Sequence, residues 1–343
     1  MKIAVDAMGG DDAPQSPVNG AVLAARELEA EIVLVGDETE IRRGLATHGS
    51  PAKISVVHAA EVIGMDEPVA TAVRRKRGSS IHVGARLLRD GEVDGFISAG
   101  NTGAVMAVTK VIVGTLDGVD RPALAVVLPT MTGRAVVLDV GANVDPKSRQ
   151  LVQFALIGDQ FAKALLDIPT PRIGLLSIGE EEAKGNELVR SVHQVLREQA
   201  INFLGNVEAR DLYRGGADVV VCDGFTGNIL LKTSEAIVEM MWHLMRKEFR
   251  RTPAGRIGGL LARGAFRRLG GRVDYQEFGG ALLLGVRGLT VIGHGRSTPR
   301  AISNAVRLVE GYALRDLNRR VEDALAHLAG AQPPQNGART ETT

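Results

Sequence analysis

Cysteine is almost absent from this sequence. Cys222 is the only one among 343 residues, so no disulfide can form within the chain. Aromatic residues make up only 3% of the chain, which leaves few side chains for stacking on bases and argues against nucleic acid as a partner. No run of about 18 apolar residues is present, so no segment is expected to span a membrane. The sequence predicts a cytoplasmic location.

Several motifs of metal and nucleotide sites are also missing. None of the seven histidines stands at a metal-ligand spacing, and neither His-Glu-x-x-His nor Cys-x-x-Cys occurs. The chain contains no Gly-x-Gly-x-x-Gly and no P-loop, which disfavours a Rossmann dinucleotide site and P-loop nucleotide hydrolysis. We therefore predict neither a metal nor a cofactor.

Aliphatic residues and 41 glycines dominate what is present. Strand-like apolar runs alternate with helical periodicity, which predicts an α/β fold with a mostly parallel sheet covered on both faces. The exception is 124–128 and 135–139, where the turn 129–134 predicts an antiparallel hairpin. No linker marks a domain boundary, so residues 1–329 are predicted to form one catalytic unit. Residues 330–343 lack apolar anchors and are predicted to be a disordered tail. The predicted strands are 3–6, 31–35, 53–57, 95–98, 124–128, 135–139, 172–177, 218–222 and 290–292.

One design occurs twice in the chain. A short apolar strand is followed by Gly-x-Thr-Gly and an apolar helical run, first at 100–103 and again at 224–227. A glycine turn that opens a helix presents backbone N–H groups at the positive end of the helix dipole. Each copy therefore predicts a site for an anion, typically phosphate.

Two further glycine-containing loops follow predicted strands. The loop 6–11 brackets Gly9 and Gly10 with acidic residues, and its alternative interpretation is an ordinary strand-to-helix turn. The loop 177–187 carries three glutamates and Lys184 between two glycines. It either positions Lys184 in a site or supplies the negative first turn of a helix.

Two reactive side chains, Cys222 and His294, are candidates for a site. Cys222 ends an apolar strand beside Asp223, which favours a small core residue over a nucleophile. His294 has a glycine on each side and is either a donor in a site or part of a structural turn.

The segment 246–272 is strongly basic. It contains nine Lys or Arg residues and one Glu, a net formal charge of +8, with apolar residues between them. Such an amphipathic hairpin suits an acidic protein or an anionic membrane surface. A solvated pair of helices is the alternative.

Ten motifs together resemble one protein family. The matches run in order from residue 6 to about 305, and this set of motifs is typical of the PlsX family of bacterial acyl-ACP:phosphate acyltransferases. Two positions depart from the family pattern, Leu282 and Arg296, and both leave the glycine turns intact. The motifs are Asp6–Asp11, Lys76–Ile81, Ser98–Ala104, Asp139–Asn143, Ile178–Glu182, Lys184–Glu187, Gly205–Glu208, Cys222–Phe225, Gly227–Asn228 and Gly293–Gly295.

The resemblance implies a reaction and its setting. Acyl-ACP and inorganic phosphate would give acyl phosphate and free ACP, without a cofactor. The acyl phosphate would pass to a membrane acyl-phosphate:glycerol-3-phosphate acyltransferase of the PlsY type. The resemblance also implies a homodimer and a three-layer α/β/α fold similar to phosphate acetyltransferases and isocitrate/isopropylmalate dehydrogenases. The basic segment 246–272 would then face ACP, the inner face of the membrane, or both.

The resemblance suggests roles for individual residues, which we state as hypotheses. Phosphate would bind at Asn101, Thr102 and Gly103, with Lys184 as counter-charge. Thr226, Gly227 and Asn228 would hold the thioester carbonyl or pantetheine, assisted by Lys232. The remaining predicted substrate-binding residues are Asp6, Gly9, Gly10, Asp11, Asn186 and Asp223, and the predicted docking residues are Arg263, Arg267 and Arg268.

Three alternatives remain open at this stage. The donor could be acyl-CoA instead of acyl-ACP. The chain could be a metal- and nicotinamide-dependent dehydrogenase on the same fold, which the motifs oppose. It could also be a non-catalytic membrane scaffold, which the intact glycine turns and Lys184 oppose.

Overall fold

A computed structural model describes residues 1–273, 279–313 and 317–330. The strands are β1 (Lys2–Asp6), β2 (Glu31–Gly36), β3 (Ile54–His58), β4 (Gly95–Ser98), β5 (Ala123–Pro129), β6 (Arg134–Leu138), β7 (Ile173–Leu176), β8 (Phe203–Val207), β9 (Val219–Val221), β10 (Ala281–Leu284) and β11 (Leu289–Ile292). The helices are α1 (Gln15–Glu27), α2 (Glu38–Ala46), α3 (Val69–Arg75), α4 (Ser80–Arg89), α5 (Thr102–Ile112), α6 (Ser148–Leu165), α7 (Glu187–Leu196), α8 (Ala209–Arg214), α9 (Gly224–Arg251), α10 (Pro253–Leu261), α11 (Arg263–Val273), α12 (Pro299–Ala313) and α13 (Leu317–Gly330).

The described strands form one eleven-stranded mixed sheet in the order β3-β2-β1-β4-β11-β10-β5-β6-β9-β7-β8. The neighbours β11–β10, β10–β5 and β5–β6 are antiparallel, and the other pairs are parallel. The predicted α/β class with a mostly parallel sheet is therefore confirmed. The predicted hairpin of β5 and β6 is confirmed as well.

Strand side chains are buried on both faces of the sheet. Ile3 and Val5 of β1 belong to one buried apolar cluster, and Ala4 between them belongs to the other. This alternation follows from the period of two along a strand. It explains why the strands are continuous apolar runs, as expected when helices cover both faces of a sheet.

Two strands were not predicted. β8 contains a glycine at position 205 with φ +103°, and β10 has only four residues next to two glycines with positive φ. Such short segments interrupted by glycine carry little periodic signal. The prediction of a disordered tail falls on residues that, from 331 onward, lie outside the described ranges.

The antiparallel pairs in the middle of the sheet separate two parallel halves. Because β10, β5 and β6 each reverse direction, the parallel strands on the two sides of the middle run in opposite directions. β4 leads into α5 on one side, and β9 leads into α9 on the other. None of the described helices is long and apolar enough to cross a bilayer.

Candidate active site

A cavity of about 550 Å³ lies against the antiparallel middle of the sheet. Its walls come from the start of α5, from α9, from β5 and from the loop 293–297. The cavity brings together five of the residues that the sequence predicted for the site: Asp11, Thr102, Gly103, Asn228 and Lys232.

Much of the cavity wall is apolar. Side chains of β5, α5 and α9 line it, among them Leu124, Leu128, Met106 and Leu231. The polar groups stand on other parts of the wall. A ligand with a charged head and an apolar tail would therefore find both kinds of surface here.

The start of α5 faces this cavity with open backbone N–H groups. The Asn101 side chain caps the helix by accepting from the Ala104 N–H at 3.1 Å. The N–H groups of Thr102 and Gly103 donate to no described residue, and both residues line the cavity. A helix start with free N–H groups of this kind can accept an anion.

The amide of Asn101 is occupied by the protein itself. Its Nδ2 donates to the carbonyl oxygens of Met65 at 2.8 Å and Glu67 at 3.3 Å. Asn101 thus holds the segment 64–67 beside the helix start. The lining residue Met65 comes from this segment.

Asp6 lies beneath the site, fully buried at the end of β1. Its carboxylate accepts from the Ser98 hydroxyl at 2.6 Å and from the Met8 N–H at 3.0 Å. Burial raises the pKa of Asp6, and these hydrogen bonds oppose the rise. Gly9 packs so closely that an added Cβ would lie 2.6 Å from both Asp6 and the Gly100 nitrogen. Asp6 and Gly9 therefore join the loops after β1 and β4.

A second pair of loops meets at Asp11. The Asp11 N–H donates to the Gly295 carbonyl at 2.7 Å, and Gly10 has φ +106°. In the same loop, His294 Nδ1 accepts from the Arg296 N–H at 3.2 Å. Burial and the nearby Lys232 lower the pKa of His294, which favours its neutral imidazole. His294 and Arg296 line the cavity but were not among the predicted site residues.

The first turn of α9 packs against the end of β6. The Asp223 carboxylate caps the helix by accepting from the Thr226 N–H at 2.8 Å and hydroxyl at 2.7 Å. An added Cβ at Gly227 would lie 1.9 Å from the Asp139 carbonyl oxygen, so only glycine fits there. The cavity is lined by the next turns, at Asn228 and Lys232.

The buried carboxylate of Asp139 fixes this contact. Its Oδ1 accepts from the N–H groups of Leu124, Gly141 and Ala142, and its Oδ2 accepts from the N–H and the Nδ2 of Asn143. Burial raises the pKa of Asp139, and the surrounding donors oppose the rise. Asn143 in turn accepts from the first N–H of α9 at 2.7 Å through its carbonyl oxygen.

Three predicted residues line a separate, open cleft. These residues are Asn186, Asp223 and Thr226. Asn186 also caps α7 by accepting from the Val189 N–H. The start of the second Gly-x-Thr-Gly helix therefore borders a different space from the start of the first.

Lys184 lies outside the linings of both the cavity and this cleft. Its side chain is exposed, and its backbone N–H donates to the Glu181 carbonyl. Lys232, by contrast, lines the cavity and pairs with Glu235 at 3.1 Å.

Cys222 is buried as the sequence suggested. Burial, together with the charges of Asp139 and Asp223, raises the pKa of its thiol well above the usual range. A thiol that stays protonated is a poor nucleophile. Within the described residues, no cluster of three or more His, Cys, Asp or Glu side chains could hold a metal ion.

The predicted docking residues stand on α11, which packs with α10 beside the far half of α9. Arg263 and Arg267 line a groove of about 910 Å³ between α9 and this helix pair. Arg268 is exposed on the same helix. The predicted basic amphipathic segment is thus three helical pieces, α10, α11 and the end of α9.

The fold is that of phosphotransacetylases. A phosphotransacetylase from Streptococcus pyogenes superposes with a TM-score of 0.62 at 20% identity, covering 92% of this chain and 94% of that one. A branched-chain phosphotransacylase from Enterococcus faecalis gives 0.59 at 13% identity, covering 92% and 99%. At these identities the likeness concerns the three-layer α/β/α fold.

The sequence comparisons are closer. Residues 1–320 match the family model described as "Fatty acid synthesis protein", and the chain belongs to this family. It is 46% identical over 338 residues to a phosphate acyltransferase of Trichlorobacter lovleyi, covering 98% of each. It is 47% identical over 322 residues to that of Acidobacterium capsulatum, covering 93% of this chain and 96% of the relative. The predicted PlsX relationship is confirmed, and the chain is an acyltransferase.

The Asp139 cluster predicts a loss of stability on an isosteric change. Both carboxylate oxygens face only donors, so Asp139→Asn would set an NH₂ group against N–H groups in either rotamer. We expect the free energy of unfolding to fall by about 3 kcal/mol or more, as measured by urea denaturation. The exposed Asp145→Asn in the next loop is the control. A loss below about 1 kcal/mol for Asp139→Asn, within the range of a single ordinary hydrogen bond, would contradict this role.

Proposed function

We propose that this protein forms acyl phosphate from acyl-ACP and inorganic phosphate, and so supplies acyl phosphate for glycerol-3-phosphate acylation. The observation that carries the proposal is the combination found in one cavity. Open N–H groups at the start of α5 provide an anion site, and an apolar wall lies beside it. An acyl thioester and a phosphate need these two surfaces next to each other. The names of the relatives support phosphate as the acceptor.

Phosphate needs no activation by a protein nucleophile. We place it on the N–H groups of Thr102 and Gly103, where the α5 dipole favours a dianion. A phosphate oxygen attacks the thioester carbonyl carbon, and a tetrahedral oxyanion forms. Positioning two reactants in this way removes much of the entropic part of the barrier.

The oxyanion requires donors from the opposite wall. We assign this role to the Asn228 amide, with the Lys232 ammonium beside it, because both line the cavity on successive turns of α9. Donors aimed at the developing charge stabilise the transition state. When the intermediate collapses, the C–S bond breaks and the pantetheine sulfur leaves as a thiolate. The thiolate, with a pKa of about 8.5 if it resembles cysteine, then takes up a proton.

The loops around the cavity have supporting roles in this proposal. Asp6, Gly9 and Gly10 hold the first loop, and Asp11 borders the substrate. Asn186, Asp223, Thr226 and Gly227 set the start of α7 and α9. Lys184 remains the predicted counter-charge to phosphate, although the cations that line the cavity are Lys232 and Arg296.

The basic helices suit docking of an acidic partner. We propose that Arg263, Arg267 and Arg268 contact ACP or the anionic inner face of the membrane. Apolar side chains are exposed on the same helices, with Leu260 at 69% and Leu261 at 82%. This mixture of cations and apolar groups favours reversible association with such surfaces. A membrane enzyme of the PlsY type would then receive the product.

A stripe on α9 supports the proposed homodimer. Ile237, Met240, Met241 and Leu244 are all about half exposed and recur at the spacing of one helix face. A contiguous exposed apolar face commonly marks a protein interface. A second copy of this chain is the partner that we propose for it.

The proposed reaction predicts a specific product. Palmitoyl-ACP and phosphate, incubated with the full-length protein, should give palmitoyl phosphate that is detected by mass spectrometry. Palmitoyl-CoA in place of palmitoyl-ACP should give a lower kcat/KM. Omission of phosphate is the control. If neither donor gives acyl phosphate, the proposed function is refuted. If palmitoyl-CoA gives the higher kcat/KM, the donor is acyl-CoA and not acyl-ACP.

The two lysines should be separable in the same assay. We expect Lys232→Ala to lower kcat by about 100-fold or more, the usual effect of removing a group that stabilises an oxyanion. If Lys184 has its predicted role, Lys184→Ala should lower kcat by a comparable factor while the melting temperature of the protein stays unchanged. Exposed Lys110→Ala on α5 is the control. Activity of Lys184→Ala within twofold of wild type would remove Lys184 from the mechanism.

The docking proposal predicts sensitivity to charge. The combined change Arg263→Glu, Arg267→Glu and Arg268→Glu should raise KM for acyl-ACP or abolish binding to anionic vesicles, because each basic residue near such a surface contributes about 1 kcal/mol. A variant with Arg26→Glu and Arg43→Glu, on α1 and α2, is the matched control. If both KM and vesicle binding stay unchanged, the three arginines form only a solvated face.

A further inference from the structure

One face of α9 connects the candidate active-site cavity with the groove under the basic helices. Asn228, Lys232 and Glu235 line the cavity, and Glu235 also lines the groove. The groove continues along the same helix through Trp242 and Arg246. Glu235 is only 15% exposed. The two spaces therefore adjoin at this residue.

The far end of the groove suits an anion next to apolar groups. Phe266 packs edge-on against Trp242 and Phe249, with ring centroids 6.1 and 5.2 Å apart. Around these rings stand five arginines, none of which forms an ion pair with a described carboxylate. The only acidic residues in the lining, Glu235 and Glu239, are at the end next to the cavity. The five are Arg246, Arg250, Arg256, Arg263 and Arg267.

The distance between the two ends has chemical meaning. Lys232 and Arg246 are about four turns apart on α9, or about 21 Å along its axis. Side chains in a helix point toward its N-terminus, and a long arginine covers about one turn in that direction. The Lys232 side chain leans the same way, so its ammonium and the Arg246 guanidinium stay about 21 Å apart along the axis.

A pantetheine arm is long enough to connect these two charged groups. From its sulfur to its phosphate it contains about as many backbone bonds as four amino-acid residues, which corresponds to about 15 Å when extended. With a hydrogen-bond distance of about 3 Å at each end, the extended arm spans about 21 Å, so a thioester held by the Lys232 ammonium would place that phosphate among the arginines. Arginine binds phosphate through paired N–H donors, and the aromatic rings suit the apolar gem-dimethyl part of the arm.

We propose that the groove between α9 and the helix pair α10–α11 binds the phosphopantetheine arm of the acyl donor, with Arg246 and Arg250 on its phosphate. The inference rests on the proposed function in taking the donor to be a pantetheine thioester. It also gives the neighbouring docking arginines a reason for their position, because the phosphate end of the arm is where the carrier protein begins.

Trp242 allows a binding test that does not depend on catalysis. It is the only tryptophan of the chain and lines the groove, so its fluorescence reports occupancy. Both phosphopantetheine and pantetheine should change the emission of the full-length protein on binding. The dissociation constant of phosphopantetheine should be at least about 10-fold lower than that of pantetheine, the difference expected for charge-assisted hydrogen bonds. The double change Arg246→Ala and Arg250→Ala should abolish that difference. Arg43→Ala on α2, an exposed helical arginine outside the groove, should keep it.

Kinetics with carrier-free donors gives a second readout. The ratio of kcat/KM for acyl phosphopantetheine to that for acyl pantetheine should be at least about 10 for wild type and close to one for the double variant. Equal affinity of wild type for the two arms, or an unchanged ratio in the double variant, would overturn the inference.

The two proposals fail in different ways. Phosphate-dependent binding at Trp242 without any acyl phosphate product would refute the proposed reaction and leave the arm site standing. Acyl phosphate formation from acyl-ACP without phosphate-dependent binding would refute the arm site and leave the reaction standing.

Discussion

Five N–H donors converge on the buried carboxylate of Asp139, and the geometry of the candidate site depends on that cluster. The carboxylate fixes the turn 139–143 after β6. Asn143 in this turn accepts the first N–H of α9, and the Asp139 carbonyl leaves room only for glycine at position 227. The start of α9 therefore has one position relative to the sheet. Asn228 and Lys232 line the cavity because the first turn of α9 fixes the position of the helix.

The sequence predicted much of the fold because its strands are buried on both faces and read as apolar runs between glycine turns. It also indicated the family, and it named five residues that the cavity brings together. What it could not reveal is orientation. The two Gly-x-Thr-Gly copies look equivalent in sequence, and both helices are capped by the residue before them. The start of α5 lines the cavity, whereas the first N–H of α9 donates to the Asn143 carbonyl and this helix start lines another cleft. Likewise, two glycines beside Lys184 say nothing about which space its side chain faces. His294 carried a usable signal in its flanking glycines, but Glu235 carried none, because its importance comes only from its place between two cavities.

α9 combines three tasks along its length. Its first turns contribute to the cavity, its middle presents an apolar stripe on one face and the aromatic and basic groove on another, and its end joins α10. A helix of 28 residues extends about 42 Å, which exceeds the reach of any loop in the site. In the proposed donor site, a single rigid element would therefore relate the position of the donor's carrier end to the position of its thioester. Preorganisation of this kind lowers the entropic cost of bringing two anionic substrates together.

The order in which the sheet is completed follows from its pairing. β11 lies between β4 and β10, although about two hundred residues of chain separate β4 from β11, and β10 pairs with β5 over a similarly long separation. The sheet beneath the cavity is thus unfinished until β11 has left the ribosome. Contacts of such sequence separation form slowly, because the loop that they close is ordered late. A nascent chain that ends before β11 contains both Gly-x-Thr-Gly turns but lacks the strand that joins β4 to β10.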